Sequence, residues 1–279
     1  MELTEVKIVA DSSSDVLKLN KINYEVAPLK MIASFGEYVD DADLDVDGMI
    51  AEFDKHDEKI KTACPSEGDW LDAFGDAKYV FCITITSGLS GSYNSARLAK
   101  TEYENLYPDR KVCLIDSLSA GPELMLIIEK IEEWILEGKS FEEIEKSIAI
   151  YQKKTHLAFM LQSLKNLKNN GRVSGLVAKI AGVLDLRIVG VASEQGTLEP
   201  LSKPRGDKRA LDALLKIFAE RGYRGGKIYI RHCWNESLAT RLKEKILEIY
   251  ETAKVEIHKC RGLCSFYAEK GGLMIGFES

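Results

Sequence analysis

Three serines and two glycines crowd into Thr86-Ser-Gly-Leu-Ser-Gly-Ser-Tyr93, directly after the apolar run Tyr79-Val-Phe-Cys-Ile-Thr-Ile85. The run reads as a buried strand, and a helix follows from Tyr93 to Lys100. Such a junction gathers hydroxyls, backbone N–H groups and the positive end of a helix dipole around one point. Gly88 and Gly91 let backbone approach a ligand closely. The chemistry this implies is recognition of an anion. A serine nucleophile is the poorer reading. The elbow pattern G-x-S-x-G fails in Gly88-Leu-Ser90-Gly-Ser92, and the one histidine at a strand end is His232. A helix capped by its own serines, with no ligand at all, competes with the anion site.

Other residues invite similar scrutiny. Thr62 and Ser66 flank Cys64-Pro65 in a loop that ordinary turn chemistry would also explain. Asp11 and Asp15 sit in Asp11-Ser-Ser-Ser-Asp15 and suit magnesium weakly; capping and turn roles suit them better. Asp116-Ser117 repeats that theme. Asn169-Asn-Gly171-Arg172 is a helix stop with Gly in the left-handed position. It displays Arg172 to solvent, where a guanidinium fits a partner's carboxylate or phosphate or is simply hydrated. Val177 to Val189 is apolar enough to be core or a cavity wall. Of six cysteines, Cys82 and Cys113 fall inside apolar strands. Cys260-x-x-x-Cys264 has no second pair nearby, so metal binding is a minority reading and a disulfide framework is not expected.

The elements that would position these residues fall into two rhythms. Strands at Val6–Ala10, Tyr24–Ile32, Val80–Ile85 and Val112–Ile115 alternate with helices at 48–56, 67–74, 93–100, 123–136 and 140–153. Asp47 would cap the first of these helices, within an acidic loop at Val39–Asp47, and Ser140-x-x-Glu143 is a capping box. This alternation predicts a mostly parallel sheet with helices on both faces. Its loops at 11–15, 62–66, 86–92 and 116–121 would share the rim at the strands' carboxyl ends. Beyond residue 155, strands at 157–161, 186–192, 227–231, 255–259 and 273–277 alternate with helices at 163–170, 174–183, 207–222 and 236–252. Ser174 would cap the helix at 174–183, and Glu194–Thr197 reads as a hairpin turn. This half predicts a mixed or antiparallel sheet with helices on one side. The fold class is therefore α/β in two domains, 1–154 and 155–279.

With 279 residues, 45% of them hydrophobic and 29% charged, the chain is long enough for two ordinary domains. A net charge of −6 argues against nucleic acid. No apolar run reaches the ~20 residues that span a bilayer, and the acidic start is not that of a signal peptide. The expected location is cytoplasmic, with no stable membrane insertion.

Taken in order, the motifs resemble the DegV family of bacterial fatty-acid-binding proteins over nearly the whole chain. Val9-Ala-Asp-Ser-Ser-Ser-Asp15 is similar to the opening D-S-x-x-D. Lys61-Thr-Ala-Cys-Pro-Ser66 is similar to K-T-S-Q-P-S. Thr86–Tyr93 resembles S-S-x-L-S-G-T-Y, and Ile115-Asp-Ser-Leu-Ser-Ala-Gly121 the V-D-S element. Leu164–Ser174 resembles L-x-Y-L-x-x-G-G-R-I-S. The resemblance implies a non-catalytic protein without a cofactor, clasping one long-chain fatty acid between its domains. It would present the carboxyl group to a separate ATP-dependent fatty acid kinase, which makes acyl phosphate for phospholipid synthesis. Thr62, Ser90 and the Gly91 N–H would hold the carboxylate, with Ser87, Arg261 and Tyr267 behind them, and Arg172 would meet the kinase. Two departures stand out: Tyr267 lies where the family carries His, and Asn170 replaces the first Gly of G-G-R. Two other functions compete: an enzyme acting on a small phosphorylated or carboxylated metabolite, and a lipid-sensing module without a kinase.

Overall fold

The computed structural model describes residues 1–173 and 185–279. The expected helix at 174–183, its Ser174 cap and most of the Val177–Val189 run lie outside the described residues. A four-stranded parallel sheet takes the order β2 (Asn23–Ala27), β1 (Val6–Asp11), β6 (Tyr79–Thr84), β7 (Lys111–Asp116). Its central strands β1 and β6 are almost wholly buried because both faces are covered. Helices α4 (Pro122–Leu136) and α5 (Phe141–Tyr151) bury Ile127, Ile131, Phe141 and Ile144 against one face. Helices α2 (Glu67–Phe74) and α3 (Ser92–Leu106) bury Trp70, Phe74, Ala99 and Tyr103 against the other. Reciprocal capping boxes start α2 at Ser66/Asp69 and α5 at Ser140/Glu143.

The second sheet has six strands: β10 (Leu198–Ser202), β9 (Ile188–Ala192), β8 (Thr155–Leu161), β13 (Leu273–Glu278), β11 (Gly226–His232) and β12 (Ala253–Lys259). Only β11 and β12 pair in parallel, so the sheet is mixed, and the hairpin turn at Glu194–Thr197 joins β9 to β10 as expected. Helices α7 (Asp207–Glu220) and α8 (Glu236–Ile249) pack one face through Leu214, Phe218, Leu242 and Ile246. The expectation of helices on one side only is corrected by α4, which contacts β8, β11 and β13 from the opposite face. Helix α4 is thus shared between the two sheets. Gly276 of β13 permits this: a Cβ there would lie 2.5 Å from the carbonyl carbon of Pro122.

Several local expectations change. The strand placed at 24–32 is two strands, broken at Pro28, with β3 (Lys30–Ala33) joining a small antiparallel sheet β4-β3-β5. Strand β5 (Lys61–Ala63) falls within the expected loop around Thr62–Ser66, and strand β4 (Gly36–Val39) ends where the acidic loop was placed. Both are short and find their pairing only through β3, which pairs Met31 with Thr62. Helix α1 (Val46–Phe53) is capped by Asp45, which accepts the Gly48 N–H at 3.0 Å. Asp47 instead sits in its first turn and accepts from Trp234 Nε1 at 2.7 Å. A helix unseen in the sequence, α9 (Gly262–Ala268), follows α6 (Lys165–Asn169), α7 and α8 in the chain. Its N-terminal N–H groups are capped from far away. Asp40 accepts from Gly262 and Leu263 at 3.0 and 2.9 Å, and Asp15 accepts the Arg261 N–H at 3.1 Å.

Glu123, near the start of α4, is 5% exposed and accepts from Thr155 Oγ1 at 2.7 Å. Burial pushes its carboxyl up to about 7 from the ordinary 4.5. The unfolded chain releases this proton first, so stability falls as pH rises from 4.5 to 7, by about 3 kcal/mol in all. Glu123→Gln keeps the acceptor and removes the penalty. In urea unfolding its stability relative to wild type should grow between pH 4.5 and 7.5. A difference that stays constant with pH would count against a raised glutamate.

Candidate functional site

A cavity of about 300 Å³ opens between the sheets. Leu157, Phe159 and Leu161 line it from alternate positions of β8, while Ala158 and Met160 of the same strand pack under α7. Leu89, Leu198 and Met274 add to the apolar wall. The polar lining is small: Ser13, Thr62, Ser90, Gly91, Arg172 and Tyr267. Strand β5 fixes Thr62, whose hydroxyl lies 2.7 Å from the Tyr267 hydroxyl carried by α9. Ser95 Oγ in α3 donates to the Pro65 carbonyl at 2.7 Å, tying the Thr62 loop to the helix that Gly91 caps.

The turn between β6 and α3 uses nearly all its own donors. Ile85 N–H goes to Asp11 Oδ2 (2.8 Å), Thr86 N–H to the Ser119 carbonyl (2.8 Å) and Ser87 N–H to Asp116 Oδ1 (3.1 Å). Gly88 N–H goes to Thr86 Oγ1, and the N–H groups of Leu89 and Ser90 to the Thr86 carbonyl. Ser92 N–H goes to Ser90 Oγ at 3.2 Å. Among the described residues, Gly91 N–H is the turn's donor without a partner. Ser90 Oγ accepts from Ser92, so its own proton is free to be donated. One amide and one hydroxyl proton, at the positive end of a fifteen-residue helix, are what the turn offers to an anion.

Arg172 does not stand in solvent as expected. Gly171 adopts φ +72° and the chain folds back, leaving Arg172 half-buried at the cavity wall. Its Nε donates to the Leu89 carbonyl at 3.0 Å and its Nη1 to the Asn170 carbonyl. Burial raises the Tyr267 phenol, a shift opposed by Thr62 and by the charge of Arg172. Burial also raises the Cys64 thiol, beside Gly91 in the cavity lining.

Of the predicted site residues, Thr62, Ser90, Gly91, Arg172 and Tyr267 line one cavity. Ser87 and Arg261 do not. Ser87 is exposed, and Arg261 turns its guanidinium to the Asp41 carbonyl at 2.5 Å. The loops at 11–15, 85–92 and 116–121 share the carboxyl-end rim of the parallel sheet, whereas Thr62 reaches it on the small antiparallel sheet. His232 is buried, accepts from Asn235 N–H at 3.3 Å and does not line the cavity. Asp11 and Asp15 accept hydrogen bonds from neighbouring loops. Sequence reasoning placed a strand at 157–161 but not its cavity-facing side, because Leu157-Ala-Phe-Met-Leu161 is apolar on both faces. It also missed Cys64, Ser13 and Cys264 as lining residues.

An apolar cavity with a few donors at one place defines a binding protein for an amphipathic anion. The family described as uncharacterised protein, DegV family, matches residues 5–279, and the chain belongs to the DegV family. A DegV domain-containing protein of Streptococcus pneumoniae is 45% identical over 276 residues, covering 98% of each chain. Among solved structures, the chain resembles a DegV family protein from Eubacterium eligens loaded with heptadecanoic acid (TM-score 0.96, 43% identity, 98% of this chain and 99% of that one). It equally resembles the Streptococcus pneumoniae Fatty Acid Kinase B3 protein loaded with linoleic acid (TM-score 0.96, 44% identity, the same coverage).

The Thr62–Tyr267 hydroxyl pair can be tested in isolation. A double-mutant cycle of Thr62→Val and Tyr267→Phe, read by urea unfolding of ligand-free protein, should give a coupling of about 1 kcal/mol. Strictly additive single effects would mean that the two hydroxyls do not meet.

Proposed function

We propose that this protein encloses one long-chain fatty acid and presents its carboxyl group to a separate ATP-dependent kinase, which forms acyl phosphate for phospholipid synthesis. The observation that carries the reading is the pairing of a Gly91 N–H and a Ser90 proton, both unclaimed among the described residues, with an apolar cavity. The Eubacterium and Streptococcus relatives, both loaded with fatty acids, support it.

In this reading Ser90, Gly91 and Thr62 donate to the carboxylate. Tyr267, hydrogen-bonded to Thr62, orients that hydroxyl in place of the family's His. The chain lies along Leu157, Phe159 and Leu161. About sixteen methylenes at ~0.8 kcal/mol each give roughly 13 kcal/mol gross, against which ordering and head-group desolvation are set. Affinity then comes from the tail, and the hydroxyls fix which end faces the kinase. The division at 154/155 follows the same logic: the first segment brings the head-group loops and the second most of the tail wall.

Arg172 is the residue we assign to the kinase side. It lines the cavity and also an outer groove of about 560 Å³, together with Gly88, Gly171 and Thr197. A phosphoryl group arriving along that groove would meet a guanidinium, which stabilises developing negative charge. The carrier itself makes and breaks no bond. Its Ser90 oxygen is occupied as an acceptor by the Ser92 N–H, and the cavity lining among the described residues carries neither histidine nor carboxylate to activate a nucleophile.

Mass spectrometry of an organic extract of the gently purified protein should yield fatty acid at one equivalent. The Thr62→Ala/Ser90→Ala protein, with its tail wall intact, should yield far less. Empty wild-type extracts, together with no uptake of added fatty acid, would contradict the carrier and favour the small-metabolite enzyme. Arg172→Ala should retain the lipid but lose phosphorylation by the kinase; unchanged phosphorylation would favour a lipid sensor.

A further inference from the structure

Beneath the donor turn lies a carboxylate that the carrier reading leaves without a role. Asp11, at the end of β1, has no solvent exposure. Its Oδ1 accepts the N–H of Ser13 at 3.2 Å and the Ser13 hydroxyl at 2.5 Å. Its Oδ2 accepts the N–H of Ile85 at 2.8 Å and the Ser92 hydroxyl at 2.6 Å. Ile85 and Ser92 bracket the turn that carries Ser90 and Gly91, and Ser13 lines the cavity beside it. One carboxylate thereby ties both ends of the donor turn, and one wall of the cavity, to the same strand end.

We propose that Asp11 is the positioning residue of the head-group site: it holds Ser90 and Gly91 at the geometry in which their free protons converge on a ligand carboxylate. The proposal rests on the fatty-acid reading. A carboxylate offers about four acceptor positions, and all four are filled. Asparagine cannot replace it in either orientation. Each side of the group faces one backbone N–H, from Ser13 or from Ile85, and a backbone donor cannot turn away as a hydroxyl can. One of them must then face an NH₂ group, and that tie breaks.

The charge of Asp11 acts in the opposite sense. A buried anion near the start of α3 offsets the helix dipole and repels a bound carboxylate. If electrostatics alone mattered, Asp11→Asn would tighten binding of an acid. If positioning dominates, it weakens it. The direction of the change therefore separates the two roles.

The experiment measures palmitic acid and 1-hexadecanol, delivered from the same cyclodextrin stock, binding to the full-length protein by calorimetry. Asp11→Asn should lower the affinity for the acid by about 10- to 100-fold, the worth of a disturbed hydrogen bond to a charged group. Binding of the alcohol, held mainly by its tail, should change less than about threefold on the same scale. Ser92→Ala, which removes one tie and leaves the carboxylate in place, should give an intermediate loss. It should also shift the carboxyl ¹³C resonance of bound [1-¹³C]palmitate. Tyr103→Phe, which removes a hydroxyl bonded to the Ala77 carbonyl at 2.7 Å in a different core cluster, should lose stability without moving either readout. Equal losses for acid and alcohol, or a tighter acid complex, would overturn the proposal. If Asp11→Asn does not fold, the Ser92→Ala resonance and affinity decide it. Wild type that binds no palmitate overturns the carrier reading itself, whereas wild type that binds it and mutants that bind it equally well overturn only the role of Asp11.

Discussion

Everything at this site depends on one leftover amide. Among the described residues, the turn from Ile85 to Ser92 finds partners for its backbone donors, Gly91 excepted. A helix N-terminus always leaves donors unpaired, and most chains hand them to water or to a capping side chain. Here Gly91 brings no capping side chain and lines a cavity. Gly91 is exposed, so water can serve its amide until a ligand brings an acceptor in water's place. A carboxylate on a hydrocarbon chain supplies that acceptor and fills the walls at once.

The architecture makes that arrangement possible by sharing α4 between two sheets. With α4 between them, the carboxyl-end loops of the parallel sheet meet the β8 face of the mixed sheet. Thr62, Ser90 and Gly91 then come from one half of the chain, and Leu157, Phe159, Leu161, Leu198 and Met274 of the apolar wall from the other. Helix α9 closes the remaining side, pinned by Asp15 and Asp40 from the opposite half. Asp40 is raised to about 6 by burial, so it exacts a stability cost at neutral pH while capping two amides. Tyr267 reaches Thr62 because that helix is held where it is.

How much of this was legible follows from the range of each signal. The capping box at Ser140, the helix stop at Gly171 and the hairpin at Glu194–Thr197 are local, and the sequence displays them. The donor turn is local too, which is why the hydroxyls and glycines of Thr86–Tyr93 read as an anion site from spacing, while the resemblance to a family singled out Ser90 and Gly91 within it. Strand β5 and helix α9 could not. Each is short, and each owes its existence to partners distant in the chain: β5 to Met31, α9 to Asp15 and Asp40. Arg172 illustrates the same limit. Its turn was readable, but its direction is set by the Leu89 carbonyl, eighty-three residues away. Resemblance to a family supplied Thr62, because a lone threonine before Cys64-Pro65 carries no signal of its own. The cavity wall at Leu157, Phe159 and Leu161 was not legible, because β8 is apolar on both faces and only the packing of Ala158 and Met160 under α7 shows which face is left for a ligand.

The most direct test is a crystal structure of the protein with palmitic acid. The account predicts a carboxylate oxygen about 2.7–3.0 Å from Ser90 Oγ and Gly91 N, with the second oxygen at Thr62 Oγ1 and the chain against Leu157, Phe159 and Leu161. A chain lying elsewhere, or a carboxylate pointing away from Gly91 with that amide still unpaired, would contradict it.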